Sequence, residues 1–219
     1  MRGFGTNFHK IYASNAAAYH RFSAAEFFSR ELQERLESLE TGSVLLDVAC
    51  GTAHKTDRAS SRFEKVYALD NSQELLGFAS RKYDRNTKTT FLWSSAANIP
   101  LLDESVDTII VTWGSFPLTK SLKEMKRVLK KGGSIVRIGA FGEDEFTTLF
   151  PKFDIHRVRR INTTFKRHGF NIEEHVVNIR FPNLTAAQEV LTTIIGAPAS
   201  AIKKPRFKHE VALCYYRKP

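Results

Sequence analysis

Two acids and a run of small residues are the part of this sequence best suited to chemistry. Val44-Leu45-Leu46-Asp47-Val48 is a short, branched, apolar run carrying one acid, and Ala49-Cys50-Gly51-Thr52-Ala53 follows with side chains of minimal size. A buried parallel strand reads this way as it enters a tight turn beneath a ligand, where a bulky Cβ would hold the backbone off the bound group. Asp70 stands twenty-three residues after Asp47 and closes a second apolar segment, Lys65-Val66-Tyr67-Ala68-Leu69. A carboxylate at the end of a second strand has the lone pairs to accept from paired ribose hydroxyls. Helical spacing from His54 to Phe63 joins the two segments, so the unit is strand, small-residue turn, helix, strand and acid.

The elements that must position these residues follow in alternation. Residues 7–40 read as helix, with Phe22, Phe27, Phe28, Leu32, Leu36 and Leu39 as an apolar stripe and Gly42 as the stop. After Asp70, Asn71-Ser72 offers an N-cap for a helix over Glu74–Tyr83, and Lys88–Trp93 alternates as a third strand. Asp103–Trp113 reads as the fourth strand with an acidic lead-in, Lys123–Lys131 as a helix closed by Gly132-Gly133, and Ser134–Ala140 as the fifth. Then come short helical spacing over Glu143–Leu149, a basic helix over about Ile155–His168, strands at Asn171–Phe181 and Phe207–Tyr216, and between them a helix over Thr185–Ile195. Strand–helix alternation of this kind predicts an α/β, doubly wound sheet.

The turn and Asp70 resemble motif I and the acidic loop of class I S-adenosylmethionine-dependent methyltransferases, of the methyltransferase type 11-like kind. That family carries an acid followed by glycines at three alternate positions; here Ala49, Gly51 and Ala53 occupy them. Later segments keep the family's order: Ser95-Ala96 with Ile99-Pro100 after strand three, the acidic lead-in Asp103-Glu104 before strand four, and Arg127-Val128-Leu129-Lys130-Lys131-Gly132-Gly133 before strand five. The resemblance implies a Rossmann-like sheet of seven mostly parallel strands in the order 3-2-1-4-5-7-6, the last antiparallel. It implies one domain over residues 1–219, with 1–40 an N-terminal helical lid segment, and S-adenosylmethionine as cofactor, leaving S-adenosylhomocysteine.

By the same resemblance Asp47, Ala49, Cys50, Gly51, Thr52, Ala53, Asp70, Asn71, Ser95, Ala96 and Thr112 are the cofactor-binding positions. Asp47 supports the turn and reaches the methionine amino group, Gly51 lets the backbone face it, and Asp70 takes the ribose. Ser95 stands where an acid is usual. Tyr12 and Tyr19 belong to the lid-like segment, and Trp113-Gly114 ends strand four, so these four are the substrate-pocket candidates. Trp113 is read either as a pocket wall or as a core residue, and the two tyrosines either as lid or as half-buried helix residues. Trp113-Gly114-Ser115-Phe116-Pro117 is not the motif of amino-methylating nucleic-acid enzymes, which counts against such acceptors. No general base is assigned among His54, His156, His168 and His175, and the catalytic residues stay unknown. His9, His20 and His209 stand isolated in the sequence, so no metal site is expected.

Composition bounds the rest. Of 219 residues 42% are hydrophobic and 26% charged, as in a globular rather than a disordered chain. No eighteen-residue apolar run and no secretory signal is visible, and two cysteines give no disulfide framework, so a cytoplasmic protein without membrane partner is expected. Residues 1–110 carry 13 lysines and arginines against 14 acids, whereas residues 111–219 carry 20 against 9. Three functions follow: methyl transfer to a small molecule; methyl transfer to tRNA or rRNA through the basic second half; and a non-catalytic scaffold on this fold. The RNA reading needs Arg157, Arg159, Arg160, Lys166, Arg167, Lys203, Lys204, Arg206 and Lys208 on one surface. Sequence alone leaves the acceptor and the oligomeric state open.

Overall fold

The computed structural model describes residues 5–151 and 153–219, with side chains from residue 10 onward. The eight strands among these residues are β1 (Glu26–Phe27), β2 (Val44–Val48), β3 (Lys65–Asp70), β4 (Thr89–Trp93), β5 (Val106–Thr112), β6 (Leu129–Ala140), β7 (Asn171–Arg180) and β8 (Arg206–Arg217). Among the described residues eight α-helices join them: α1 (Gly5–Ser14), α2 (Ala16–Ala24), α3 (Arg30–Leu39), α4 (His54–Ser60), α5 (Gln73–Lys82), α6 (Leu118–Val128), α7 (Ile155–Arg167) and α8 (Leu184–Ile195). The strand order is β1-β7-β8-β6-β5-β2-β3-β4. From β4 to β7 that is the expected seven-strand order, and β1 adds an eighth strand at the edge. The contacts divide the chain into two compact units, Leu36–Ile138 with Tyr215–Pro219, and the described residues up to Arg35 with Gly139–Cys214.

In the first unit, β5, β2, β3 and β4 run parallel, and β6 runs parallel to β5. Their runs are apolar because both faces are covered: Leu45, Leu46, Val48, Val66, Ile109 and Ile135 are buried. Asp107 opens this sheet: its Oδ2 accepts from the Ser43 and Val44 N–H groups, and its Oδ1 meets Lys130 at 2.9 Å. Helix α6 turns Leu122, Met125 and Val128 inward, as its amphipathic spacing requires, but it ends at Val128. The expected Gly-Gly turn is part of β6 instead. Val106 pairs with Leu129 and Thr108 already with Ser134, so Lys130–Gly133 forms a bulge, its glycines bonded to Lys218.

The second unit corrects the single long N-terminal helix. The chain leaves α2 at Ala25, pairs Glu26 with Ile179 and Phe27 with Asn178 antiparallel, and re-enters helix where Ser29 Oγ accepts from Leu32 N–H. The expected helix over Glu143–Leu149 is only a 3-10 turn at Thr147–Leu149. Phe146, Ile179, Phe181, Val190, Leu191 and Ile194 form the core here, and Tyr12, Tyr19 and Phe22 pack on it. His209, which stands isolated in sequence, is paired in space: its Nδ1 lies 2.7 Å from Asp144 Oδ2, both side chains being buried. Phe146 and Thr147 N–H donate to the other Asp144 oxygen, and Glu210 N–H to Oδ2.

Burial by itself would raise the Asp144 carboxyl, but the His209 hydrogen bond and charge, with the backbone donors, outweigh it and hold it below the ordinary value. A carboxylate depressed in the fold stabilises above its unfolded value, near pH 4, and that contribution is lost as pH falls through the folded value. Asp144→Asn is therefore expected to destabilise the protein at neutral pH, by about 1–3 kcal/mol, and to flatten the acid limb of a melting-temperature profile. Equal acid limbs for the variant and the parent would remove this role.

Candidate active site at the C-terminal edge of the sheet

The parallel strands end together. Val48 pairs with Leu69 and Asp70 with Trp93, so the segments after β2, β3 and β4 emerge along one edge, and Thr112 ends β5 beside them. Ligands of open α/β sheets bind outside this edge. All of the predicted cofactor-binding positions lie in this unit, at the ends of β2 to β5.

The turn after β2 has an alternating backbone. Ala49, Gly51 and Ala53 adopt left-handed φ values of 62°, 56° and 56°. Only glycine enters that region without penalty; an alanine there costs roughly 1–2 kcal/mol. The two alanines therefore hold the glycine conformation against their own propensity. Cys50 N–H donates to Leu69 O at 3.0 Å and Ala53 N–H to Cys50 O at 2.9 Å, which locks the turn onto β3. A Cβ at Gly114 would lie 3.2 Å from Ala49 Cβ and 2.6 Å from the Phe116 ring, so the chain after β5 closes on this turn only through a glycine.

Asp70 is buried, and each of its oxygens takes one backbone donor: Gly51 N–H to Oδ2 at 2.8 Å and Ser72 N–H to Oδ1 at 2.9 Å. A carboxylate carries about four lone-pair sites, so it is suited to accept from several donors at once. Asp47 is buried as well, and Thr56 Oγ1 donates to its Oδ2 at 2.5 Å. Burial pushes the Asp47 carboxyl up to about 7; the Thr56 bond pulls the other way and the Asp70 charge adds to the rise. The Cys50 thiol is likewise pushed up, by burial first and then by Asp47 and Asp70, so it stays protonated at neutral pH. Thr56 was not foreseen. Its position one turn into the helix after the motif is the signal that could have found it.

Asn71 is exposed, and Thr52 is buried. Beyond β4, Ser95 Oγ accepts from Ala97 N–H, closing a small turn in place of presenting a carboxylate, and Ala96 is buried beside it. Arg127 and Glu124 of α6 clamp the end of that loop: Arg127 donates to the Ile99 and Leu101 carbonyls, and Ile99 N–H donates to Glu124. Trp113 is 37% exposed and left-handed at φ 61°, its N–H bonded to Ile138 O. It is therefore not a core tryptophan. An aromatic residue strained at the mouth of a strand is the kind of outlier that ligand sites accumulate. In the other unit Tyr12 and Tyr19 stack at 4.5 Å between ring centroids, and burial raises the Tyr12 phenol far above its ordinary value. His54 lies in the first turn of α4. Among the described residues no group of three or more His, Cys, Asp or Glu is placed to hold a metal ion, and no helix is long and apolar enough to cross a membrane.

The left-handed turn, the acid that grips it and the parallel strands that carry both are the fold of a class I methyltransferase. Comparison with known proteins agrees. Residues 46–137 match the methyltransferase domain family. The chain is 28% identical over 201 residues to the malonyl-[acyl-carrier protein] O-methyltransferase of Yersinia pestis, covering 84% of this chain and 73% of that protein. It is 32% identical over 143 residues to the demethylmenaquinone methyltransferase of Geobacillus stearothermophilus, covering 58% of this chain and 60% of the relative, so it spans about three-fifths of that relative's length. In fold it is similar to a SAM-dependent methyltransferase from Aquifex aeolicus, with TM-score 0.57 and 21% identity over 94% of this chain and 98% of that one. It is also similar to the precorrin-6y C5,15-methyltransferase of Geobacter metallireducens GS-15, with TM-score 0.58 and 18% identity over 88% and 90%. Part of the chain thus matches a methyltransferase domain family, and the whole is similar in fold to S-adenosylmethionine-dependent methyltransferases.

Proposed function

We propose that the chain methylates a small-molecule acceptor, with its cofactor along the edge formed by β2 to β5. The observation that carries this reading is the coupling of the two motifs: the left-handed turn at Ala49, Gly51 and Ala53 delivers the Gly51 N–H to Asp70. In this reading Asp70 takes the ribose hydroxyls with Asn71 beside it. Asp47 faces the amino group, residues 49–53 cradle the methionine part, and Ser95 and Ala96 bound the base. Thr112 lines the floor. When bound, S-adenosylmethionine supplies an electrophilic methyl group on a sulfonium.

What the chain adds is placement. Trp113 and Gly114, which follow β5, stand where an acceptor would be held. Orientation and exclusion of water can lower such a barrier by ~7–11 kcal/mol without a general base. The two curated relatives are named for acceptors that differ in kind, a malonyl group on a carrier protein and a demethylmenaquinone. Carboxylates and quinones are accordingly the acceptors to try first. With labelled S-adenosylmethionine, label is expected to move to one of these classes; cofactor binding without transfer to any of them would count against the small-molecule reading.

A second reading, an RNA acceptor, is favoured by one surface. Helix α7 buries Phe165 and exposes His156, Arg159, Arg160, Lys166 and Arg167, with no acid inside the helix. Cations in question are held in ion pairs, Arg160 with Asp154 at 3.5 Å and Lys204 with Glu145 at 2.5 Å. These pairings rank it second. An RNA affinity that falls steeply with salt would reverse the ranking.

A further inference from the structure

We propose that Trp93 is a wall of the cofactor site, its indole stacking on the nucleobase while its ring nitrogen holds the acidic loop in place. This rests on the cofactor reading above. Trp93 ends β4 directly opposite Asp70 in the parallel register, and register partners leave a sheet on the same face. Its Nε1–H donates to Asn71 O at 3.2 Å, so the ring is tied across the segment that follows Asp70. It is nevertheless 63% exposed, an unusual state for the largest apolar side chain.

The order of parts along the edge says what the exposed ring is for. The turn that suits the amino-acid end follows β2, the acid that suits the ribose follows β3, and a base attached to that ribose extends toward β4. There Ser95 carries no charge and is occupied with Ala97 N–H. A purine in this place lacks a carboxylate partner, and the exposed indole supplies stacking instead, which is indifferent to hydrogen-bond pattern and strong for large π systems. The chain has only two tryptophans, and the other, Trp113, follows β5 on the proposed acceptor side. Each can therefore be observed without the other.

The test uses the full chain. In Trp113→Phe, Trp93 is the only tryptophan, and its emission is expected to be quenched by S-adenosylhomocysteine and by adenosine but not by methionine. Trp93→Ala is expected to weaken S-adenosylhomocysteine binding by about tenfold in calorimetry, and Trp93→Phe by less, since a smaller ring still stacks. Unchanged circular dichroism would show that the alanine variant is folded. Should Trp113→Phe bind S-adenosylhomocysteine in calorimetry while Trp93 emission stays constant and Trp93→Ala binds within twofold of the parent, the wall role is wrong and the cofactor reading stands. Should the folded parent bind none, both fall together.

Discussion

Asp70→Ala is expected to weaken S-adenosylmethionine binding by at least 100-fold. In the proposed site two ribose hydroxyls would meet a carboxylate already fixed by the Gly51 and Ser72 N–H groups. Hydrogen bonds to a charged group contribute about 1.5–3 kcal/mol each, and two of them amount to more than a hundredfold in affinity. Alanine removes both, and it also frees the Gly51 N–H that anchors the left-handed turn. Because that donor is buried, the variant should lose about 1–3 kcal/mol of stability as well. Asp70→Asn separates the two effects. An amide keeps one acceptor oxygen, but its NH2 faces one of the two backbone donors, so the turn loosens less and the ribose grip is still lost. Calorimetry with the two variants, beside their melting curves, checks this. A folded Asp70→Ala that binds within tenfold of the parent would take Asp70 out of the site.

The second large effect concerns Asp47 and its pH dependence. Its folded carboxyl titrates at about 7 because burial disfavours the charge, whereas its ordinary value is 3.8. The folded state therefore holds the proton more tightly than the unfolded state. Stability is highest below the unfolded value, falls as pH rises from about 4 to 7, and levels off above, by on the order of 2–4 kcal/mol. Asp47→Asn should remove that slope and raise the melting temperature at pH 8, since no charge has to be buried. The same substitution should weaken cofactor binding at pH 8, where in the proposed site the parent would present an anion to the amino group. In the parent, binding should improve as pH rises through 7 and should release a proton near neutrality, read as a dependence of the calorimetric heat on the buffer. An Asp47→Asn variant that melts with the parent's pH slope would show that Asp47 is not the group responsible.

The strand–turn–helix–strand unit was legible in the sequence because its signals are local. Strand, small-residue turn and terminal acid occupy 27 consecutive residues from Val44 to Asp70, and the burial of Leu45, Leu46 and Val48 is already implied by their apolar run. What propensity could not tell is that Ala49 and Ala53 take φ values that glycine prefers. Packing and the Cys50–Leu69 and Gly51–Asp70 bonds impose that conformation from outside the turn. The errors share a cause, distance along the chain. The apolar stripe over residues 22–39 fits a helix, yet β7, some 150 residues later, pairs with Glu26–Phe27 and breaks it. Gly132-Gly133 serves a bulge as well as a turn, and only the register with β5 decides between them. His209 and Asp144 are 65 residues apart, so neither advertises the other. Trp93 reads as one more strand aromatic until its exposure is known.

The central claim is that the edge formed by β2 to β5 binds S-adenosylmethionine, and titration calorimetry of the full chain with S-adenosylhomocysteine tests it most directly. One molecule is expected to bind per chain with micromolar affinity, with the Asp70→Ala variant silent under the same conditions. A folded parent that takes up neither S-adenosylhomocysteine nor S-adenosylmethionine would contradict the claim, and would mean that the methyl groups of Ala49 and Ala53 close the turn to its cofactor.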